Sequence, residues 1–506
     1  MRSLLDQLSW KHVIAPIAVY FLTLAFYRLF LHPLAGFPGP KLAAITRYVE
    51  AYYDVVCGGQ YTFKLAEMHK KYGPIIRISP YELHISDPSF YEKLYNREGR
   101  WDKYDWTWNA FGAPSATICS VKHEAHKHRR AALNPFFSKT SVAKRVGIIQ
   151  RLASELCRKV DSFAVSESSQ ISMSAAISAF VRDVSTEFVI GKQYHILDAQ
   201  DLNADVAVLF QGTGNLWRRT KHIPWYGSLL RYMPTSLVKK TSNHGVTAFV
   251  FFLQDMMKVT SDYFVSLRSA ATDPDAPRTI VHEILDSELP PDEKSMGRVF
   301  QEVGTISGAG NETVAGCLSM ILYHVYANQT ILVRLRSELV AARHEPGPSL
   351  TVLENLPYLT AVLMEGLRLS PALATRAQRI APDRDLVYNG QVIPAGTPVG
   401  MTTLLMHTDP DIYPDPTCFD PERWVDMDVR RKAEKTYAPF GRGTRMCLGM
   451  YLAWAELYMV VSTLVERFDL EFDPAALGDL ECTSDEFLIG TTKRNGLRAY
   501  VKRVGI

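Results

Sequence analysis

The amino-acid sequence predicts an N-terminal membrane-anchor helix that is followed by one large, mainly α-helical domain with small β-sheets. Three observations support this prediction. The first residues contain a long apolar stretch, several later segments carry apolar residues three and four positions apart, and two short runs are rich in β-forming residues. The chain has 506 residues, of which 47% are hydrophobic, so it can bury a large core.

The composition argues against several classes of protein. The formal net charge is only +3, because 56 Lys and Arg residues nearly balance 53 Asp and Glu residues, so nothing indicates a nucleic-acid partner. The 7 cysteines are an odd number without a CxxC pair, which argues against a disulfide framework and against a structural zinc site. Reduced, cytosol-facing thiols are the simpler interpretation.

The N-terminal stretch 13–31 is apolar apart from Thr23 and Arg28, and it has the length of roughly 17 to 25 residues that crosses a bilayer. Residues 1–31 are therefore predicted to form a membrane anchor. A cleaved signal peptide is the alternative, although the apolar run is long for that role and no clear cleavage site follows it. Residues 32–40, HPLAGFPGP, cannot continue the helix and are predicted to form a stiff hinge.

The remaining chain shows helical periodicity in four long segments, which are 142–163, 246–267, 299–339 and 450–468. Residues 75–86 contain two short β-rich runs around Ser79-Pro80, and in residues 386–393 the pair Asn389-Gly390 lies where a tight hairpin turn is expected. Residues 271–294 contain prolines and charges, so we expect a surface connection that is interrupted by one short helix.

One cysteine, Cys447, lies in the sequence FGRGTRMCLG, residues 440–449. The glycines around it, which allow positive φ angles and close approach of a flat ligand, are Gly441, Gly443 and Gly449. A helical segment begins directly afterwards, so backbone N–H groups are expected to point at the sulfur and to stabilise the thiolate, the form that binds metal. Arg445 can bind an anionic group of the ligand, and Phe440 can keep water from the sulfur.

This pattern, FxxGxRxCxG, resembles the haem-binding signature of the cytochrome P-450 superfamily, the haem-thiolate monooxygenases. The resemblance implies an α-rich fold with small β-sheets, formed as one large catalytic domain by residues 41–506. It implies that the cofactor is haem b and that Cys447 is the ligand of its iron. The other residues of this loop that the resemblance assigns to the haem site are Phe440, Gly441, Arg445 and Gly449.

A second motif consists of Glu365 and Arg368, three residues apart on one face of a predicted helix. An isolated pair of this kind is usually exposed. In the family this ExxR pair binds the arginine of a later PERW segment, which is Arg423 here. The resemblance therefore implies a buried network that holds the fold around the haem, with a structural role.

The sequence AGNETV, residues 309–314, resembles the oxygen-activation motif of the family. Dioxygen bound to iron must receive protons, and a hydroxyl beside an acid can order a water relay. The resemblance assigns these roles to Thr313 and Glu312. The alternative is a Thr313 hydroxyl that bonds to its own helix beside a Glu312 that faces solvent.

Residues 123–138, HEAHKHRRAALNPFFS, are similar to the third-helix segment in which a WxxxR pair holds the haem propionates. The likeness places Arg130 at the arginine position and His126 where tryptophan is common, and an imidazole N–H can still donate to a carboxylate. Arg379 is the further expected propionate partner, and Arg376 is a second candidate.

Within the superfamily, the hinge and the segments 222–230 and 409–424 look like those of fungal microsomal members, especially the trichodiene-oxygenase-like group. The resemblance implies a monooxygenase that is anchored in the endoplasmic reticulum membrane, faces the cytosol, and hydroxylates or epoxidises an apolar natural product such as a terpenoid. Electrons are expected from NADPH through a separate reductase, because no P-loop, flavin module or Rossmann fingerprint is present. The cations expected to face this reductase are Lys127, Arg129, Arg130 and Arg442.

The segments expected to contact the substrate are 101–119, 211–217, 304–309, 372–375 and 487–490. Two other classes of function stay open from the sequence. A non-oxygenating haem-thiolate isomerase or dehydratase would keep Cys447, and so would a haem-based sensor. Neither needs Glu312 and Thr313, so this pair favours oxygenation.

Overall fold

A computed structural model describes residues 10–164, 169–200, 202, 209–234, 237, 244–268, 277–342, 349–492 and 496–505. The described chain is mainly helical with small β-sheets, which confirms the predicted fold class. In the first half, the helices are α1 (Trp10–Phe26), α2 (Lys41–Ile45), α3 (Tyr48–Ala51), α4 (Tyr61–Tyr72), α5 (Tyr91–Leu94), α6 (Asp105–Trp108), α7 (His123–Leu133), α8 (Lys139–Lys144), α9 (Val146–Asp161), α10 (Met173–Ile190), α11 (Leu209–His222), α12 (Pro224–Tyr232) and α13 (His244–Arg268).

The helices of the second half are α14 (Ile280–Asp286), α15 (Met296–Ala327), α16 (Gln329–Ala341), α17 (Leu350–Glu354), α18 (Pro357–Leu369), α19 (Thr403–His407), α20 (Glu422–Val425), α21 (Met427–Ala433) and α22 (Met450–Arg467). Short π-helical turns occur at Tyr27–Leu31 and Tyr52–Val56. Short 3₁₀ turns occur at Pro88–Phe90, Asn109–Phe111, Thr117–Cys119, Ile196–Asp198, Pro291–Lys294, Gly443–Arg445 and Pro474–Asp479.

The strands form four small sheets. They are β1 (Ile75–Arg77), β2 (Leu83–Ile85), β3 (Gln170–Ser172), β4 (Leu386–Tyr388), β5 (Gln391–Ile393), β6 (Val399–Gly400), β7 (Phe468–Phe472), β8 (Ser484–Glu486), β9 (Leu488–Gly490) and β10 (Arg498–Arg503). The orders are β1-β2-β6, β3-β10-β7, β4-β5 and β8-β9, and only the β2–β6 pair is parallel in the described part of the chain. The predicted hairpin at 386–393 is confirmed, and Asn389 and Gly390 have the positive φ angles of its tight turn. The two β-rich runs of 75–86 form β1 and β2, which pair in antiparallel orientation.

The central helix α15 organises the core. It packs most extensively against α10, and it also contacts α13, α18 and α22. At Gly366 in α18 an added Cβ would lie 2.1 Å from Cγ1 of Ile321, so this glycine allows α15 and α18 to approach closely. The predicted segment 299–339 is two helices, because Asn328 ends α15 and its side chain caps the first backbone N–H groups of α16.

The N-terminal helix is exposed and apolar. Among the described residues, Ile14–Leu31 is the one segment that is long and apolar enough to cross a membrane, with a mean hydropathy of 1.8 and no buried residue. The predicted hinge, 32–40, lies against the first sheet. The Arg77 N–H donates to the Pro38 carbonyl at 2.7 Å, and Leu34 is buried in the core that surrounds β1 and β2.

Candidate functional site

The cysteine loop, residues 440–449, contains the 3₁₀ turn Gly443–Arg445 and ends at the start of α22. The Cys447 N–H donates to the Phe440 carbonyl at 2.9 Å, which closes the loop on itself. Gly443 has a φ of +74°, and an added Cβ would lie 2.4 Å from the Asn96 carbonyl oxygen. Only glycine fits both constraints, so its place in the motif is a requirement of the loop backbone.

The Cys447 thiol lies deep within the protein but keeps accessible surface, as a ligand-binding side chain requires. Burial raises its pKa, while the Gly449 N–H and the Arg130 guanidinium act in the opposite direction. The predicted stabilisation of the thiolate by the backbone at the helix start is therefore present, but burial has the larger effect on the pKa of Cys447. Positive charge from a bound metal would complete the stabilisation of the thiolate.

Arg445 lies two residues before the cysteine in a cationic environment. It donates to the carbonyls of Ser120 at 2.6 Å and Val121 at 3.1 Å, while its buried Nε has no hydrogen-bond partner in the part of the chain that the structure describes. Burial lowers the pKa of Arg445 to about 9, and the neighbouring cations Arg379 and Arg130 contribute in the same direction.

The predicted propionate residues converge beside Arg445. Burial lowers the pKa of His126 to about 2, with Arg445 as the next cause, so its imidazole is neutral. Arg130 donates to the carbonyls of Met446 at 2.9 Å and of the cysteine at 3.4 Å, which ties α7 to the cysteine loop. Arg379 is buried, and burial lowers its pKa. Within the described ranges, none of these basic side chains has a carboxylate at ion-pair distance.

The ExxR network is confirmed. The Glu365 and Arg368 side chains have no exposed surface, and the Arg423 Nε donates to the Glu365 carboxylate at 3.1 Å. The indole N–H of Trp424 donates to the same carboxylate at 2.8 Å. Arg368 also donates to the His407 carbonyl at 2.8 Å, so the network reaches the segment that leads to the cysteine loop.

The predicted proton-delivery pair lies in the middle of α15. The Thr313 hydroxyl donates to the Ala309 carbonyl at 3.1 Å, as in the alternative from the sequence, but its oxygen can still accept hydrogen bonds. Glu312 is half-buried and interacts electrostatically with Arg182 of α10, so it is not simply solvent-facing.

Four aromatic side chains from three of the predicted substrate-contact segments form one cluster, which we call the aromatic wall: Trp108, Phe111, Trp217 and Phe487. The Phe111 and Phe487 ring centroids are 4.7 Å apart, and those of Trp217 and Phe487 are 5.4 Å apart. The Phe487 carbonyl accepts from Ala374 N–H at 3.1 Å, which connects the segment 372–375 to the wall. The side chains of residues 211 and 212 lie outside the described residues.

Comparison with known proteins decides the family. A model of the cytochrome P-450 family matches residues 50–495. The chain belongs to the cytochrome P-450 family. It is 37% identical to the tryptophan 6-hydroxylase of Fusarium equiseti, covering 95% of this chain and 94% of that protein. It is 35% identical to the conidiogenone synthase of Penicillium rubens, covering 95% and 96%.

A cytochrome P-450 monooxygenase of Fusarium sporotrichioides, TRI4, is 35% identical over 93% of this chain and 90% of that relative. The predicted resemblance to fungal members of the trichodiene-oxygenase-like group is therefore confirmed. The protein is a cytochrome P-450 monooxygenase, whose family implies a haem cofactor, a redox partner that supplies electrons, and an apolar substrate.

The residues of this cytochrome P-450 fit a haem. Burying a cation without a counter-ion costs several kcal/mol. Among the described residues, the cations around Arg445 have no carboxylate at ion-pair distance, although Asp102 favours the charged form of Arg445 from farther away. The two carboxylates of a haem would supply this negative charge, and the Arg445 Nε, which has no partner among the described residues, could donate to one of them. The Cys447 sulfur is a suitable ligand for haem iron.

The sequence did not single out Lys103, which lies among the cations around Arg445. It is buried, and burial, followed by Arg445 and Arg379, lowers its pKa well below the usual range. Asp102 and Ile380 exchange backbone hydrogen bonds at 2.9 Å, and this bridge brings Lys103 beside Arg379. The only local signal in the sequence is a lysine in an aromatic-rich segment.

Arg376, the second candidate for binding a haem propionate, forms ion pairs with other side chains. Its guanidinium binds the carboxylates of Glu50 at 2.8 Å and Glu82 at 2.6 Å, all three side chains being buried. The prediction for Arg376 is therefore wrong, because two buried acids already neutralise its charge.

Three potential metal ligands, Glu50, Asp54 and His222, also converge in the cytochrome P-450 fold. The Lys221 ammonium lies 2.8 Å from the Glu50 carboxylate and 2.5 Å from that of Asp54. Because this buried ammonium supplies the positive charge, the group is an ion-pair cluster rather than a metal centre.

Proposed function

We propose that this cytochrome P-450 hydroxylates or epoxidises an apolar natural product, of terpenoid type, with dioxygen and with electrons from NADPH. The aromatic wall is the observation that carries the proposal for the substrate. Its four rings offer stacking and apolar contact, which suit a substrate that has few charged groups. The likeness to conidiogenone synthase supports the terpenoid class.

Cys447 is proposed to bind the haem iron, and the residues proposed to hold the porphyrin are Phe440, Gly441, Gly449, Arg445, Arg130, His126, Arg379 and Lys103. When bound, the haem supplies the activation of dioxygen for insertion of one oxygen atom into the substrate. The arginines and the lysine hold the haem carboxylates. Phe440 keeps water from the sulfur, and its ring lies 6.1 Å from that of Trp454 in the adjoining core.

Thr313 and Glu312 are proposed to deliver protons. The Thr313 oxygen can accept a hydrogen bond from a water molecule while its own hydrogen is donated to Ala309. The Glu312 carboxyl can then pass a proton toward that water and recover one from the solvent side. A pair with this function favours oxygenation over the isomerase or dehydratase alternative and over a haem-based sensor.

The redox partner is proposed to be an NADPH-dependent reductase in the same membrane. The exposed apolar helix α1 supports a single-pass anchor, 1–31, in the endoplasmic reticulum, with a hinge, 32–40, and a cytosolic catalytic domain, 41–506. Of the cations expected to face the reductase, Arg129 pairs with Glu293 and Arg442 pairs with Glu92, both at 2.7 Å. Lys127 is exposed on α7 and is the better candidate for docking.

A second substrate class has its own support. Two relatives are named tryptophan 6-hydroxylase and N-acetyltryptophan 6-hydroxylase, at 37% and 36% identity. Aromatic rings such as Trp108 and Phe111, which stack at 5.6 Å, could also stack on an indole. An aromatic amino-acid derivative is therefore the competing candidate.

Labelled dioxygen tests the proposal. The full chain in membranes with a fungal NADPH reductase is supplied with ¹⁸O₂ and either trichodiene or N-acetyltryptophan, and the products are analysed by mass spectrometry. We expect one ¹⁸O atom in a trichodiene product, and none with Cys447→Ala, which should also lack the red-shifted band of the reduced carbon-monoxide complex. Labelled product from N-acetyltryptophan alone would favour the second class. Products without label would contradict monooxygenation.

A further inference from the structure

The tip of the β8–β9 hairpin presents the ring of Phe487 to the aromatic wall from a strained backbone. Phe487 joins the two strands, and its φ of +71° lies in the left-handed region that a bulky side chain rarely adopts. Such a conformation is unfavourable and persists only where the surrounding contacts hold it. The contacts of Phe487 therefore determine whether its ring stays in the wall.

The backbone of Phe487 is held on both sides. Its N–H donates to Oδ1 of the Asp485 carboxylate at 2.9 Å, and its carbonyl accepts from the Ala374 N–H at 3.1 Å. The segment of Ala374 contains a second residue with positive φ, Ala372, at +61°. The Ala372 carbonyl accepts from the Ile489 N–H of β9 at 2.9 Å. The hairpin tip is thus fixed by the segment 372–375 on one side and by the Asp485 side chain on the other.

Asp485 is itself anchored to residues 59–62, at the start of α4. Its side chain is buried, and its Oδ2 accepts from the Thr62 hydroxyl at 2.7 Å. The Asp485 N–H donates to the Gly59 carbonyl at 2.9 Å, and a Cβ added at Gly59 would lie 2.7 Å from the Asp485 carbonyl oxygen. Both the backbone and the carboxyl group of Asp485 are therefore held by this segment.

Asp485 also connects to a second ring of the aromatic wall. The Arg218 Nη1 donates to the Asp485 carbonyl at 3.1 Å, and Arg218 directly follows Trp217 in α11. The ring centroids of Trp217 and Phe487 are 5.4 Å apart, and those of Trp108 and Phe487 are 5.5 Å apart. Because Asp485 bonds to Phe487 through its side chain and to Arg218 through its carbonyl, it fixes two elements of the wall relative to each other.

The surroundings of Asp485 indicate that it acts through hydrogen bonds. Burial, followed by Asp54, raises its pKa to about 6, while Lys221 acts in the opposite direction. Its two oxygens accept from a hydroxyl and from a backbone N–H, which are both neutral donors. An asparagine at this position could accept the Phe487 N–H through Oδ1 and donate to the Thr62 oxygen through Nδ2. Asparagine is therefore a substitution that keeps both hydrogen bonds.

We propose that Asp485 is a positioning residue for substrate binding, whose carboxyl group holds Phe487 at the strained hairpin tip so that its ring keeps its place in the aromatic wall. This inference rests on the substrate-binding role proposed above for the wall. Without this acceptor the tip can relax toward negative φ, which moves the ring away from Trp108 and Trp217. A displaced ring weakens the binding of an apolar substrate and leaves the haem chemistry unchanged.

The test compares Asp485→Ala, Asp485→Asn, Thr62→Val and Phe111→Ala in the haem-containing full chain with reductase. The matched control is Asp473→Ala, because the exposed Asp473 carboxylate also accepts the backbone N–H two residues later, that of Ala475, at 2.9 Å. The readouts are the Kd of trichodiene from the Soret shift, kcat and KM, and amide hydrogen exchange of the β8–β9 hairpin without substrate. The carbon-monoxide spectrum verifies the haem site of each variant.

We expect Asp485→Ala to raise the Kd and KM for trichodiene about tenfold, to change kcat by less than about threefold, and to speed amide exchange in the hairpin. Thr62→Val removes only one donor to the carboxylate and should weaken binding about threefold. Asp485→Asn should retain the affinity of the wild type, since both hydrogen bonds can still form. Asp473→Ala should match the wild type in affinity and in hairpin exchange.

Wild-type affinity and exchange in Asp485→Ala, beside weakened binding in Phe111→Ala, would overturn the positioning role alone. An Asp485→Asn variant as weak as Asp485→Ala would also overturn it, because the charge rather than the hydrogen bonds would then matter. Faster exchange in Asp485→Ala, with wild-type affinity both there and in Phe111→Ala, would instead overturn the wall as the substrate site and the binding role of Asp485 with it. If Asp485→Ala does not bind haem, Thr62→Val decides by the same criteria.

Discussion

The carboxylate of Glu365 accepts hydrogen bonds from the Arg368 guanidinium at 2.7 and 2.9 Å, and neither side chain has exposed surface. The backbone N–H of Asp420, at 2.9 Å, completes the environment of this carboxylate beside the Arg423 and Trp424 donors. A charge pair so far from water is maintained only while all its donors and acceptors are in place.

Replacing Glu365 by Gln should therefore destabilise the protein by about 3 to 5 kcal/mol, because the buried Arg368 and Arg423 charges lose their counter-ion. Urea unfolding of the haem-containing protein, followed by the Soret absorbance, measures the change. Glu67→Gln is the matched control, since Glu67 forms an exposed pair with Lys64 at the same three-residue spacing. Equal effects of the two substitutions would contradict a buried structural network.

If Lys103 helps to hold the haem as proposed, Lys103→Met should weaken haem retention, because the side chain is buried beside Arg445 and Arg379 and a haem carboxylate would offset its charge. We expect haem transfer to excess apomyoglobin to become about tenfold faster, as for the loss of one charge-assisted hydrogen bond. The control is Lys71→Met, because Lys71 is an exposed cation near the ring of Tyr72, whereas Lys103 lies over the ring of Trp108. An unchanged transfer rate in Lys103→Met would remove Lys103 from the haem site.

The buried side chain of His407 should make the folded protein less stable as the pH falls below neutral. It is buried, burial lowers its pKa to about 3, and its Nε2 accepts the Ala438 N–H at 3.0 Å while Nδ1 donates to the Arg368 carbonyl. The unfolded chain binds a proton near pH 6.5 and the folded chain does not, so stability falls as pH decreases from about 6.5 toward 3.

Between pH 7 and pH 5 this one histidine should cost about 2 kcal/mol of unfolding free energy. Urea unfolding at several pH values should show a shallower decline for His407→Gln than for the wild type. His128→Gln, at an exposed position on α7, serves as the control and should retain the wild-type slope. A wild-type slope in His407→Gln would show that other groups cause the acid sensitivity.

Phe111 lies at the centre of the aromatic wall, with the Trp108, Phe487 and Trp217 rings 5.6, 4.7 and 6.2 Å away. Phe111→Ala removes these contacts and should weaken binding of trichodiene about tenfold, as for the loss of one aromatic anchor. The trichodiene-induced shift of the Soret band measures the affinity. Tyr500→Ala, a partly exposed aromatic on β10, should bind as the wild type does. Equal affinities for both variants would place the substrate elsewhere.

Local motifs account for the parts of the site that could be predicted. The glycines of the cysteine loop encode positive φ angles and a close backbone approach, and these are properties of a few consecutive residues. The ExxR pair and the PERW segment were likewise recognisable, although their burial is a property of the fold. Lys103 and Arg376 were not assigned correctly, because their partners lie hundreds of residues away in the chain.

The family, the helical character, the hairpin at 386–393 and the cysteine loop could be predicted from the sequence, because each depends on residue spacing over a few turns of backbone. The three-dimensional fold was needed to find which buried cations lack a carboxylate at ion-pair distance among the described residues, and to show that Arg376 binds Glu50 and Glu82. The physical reason is that desolvation and Coulomb energy depend on distance in space and on burial, and neither is set by separation along the chain.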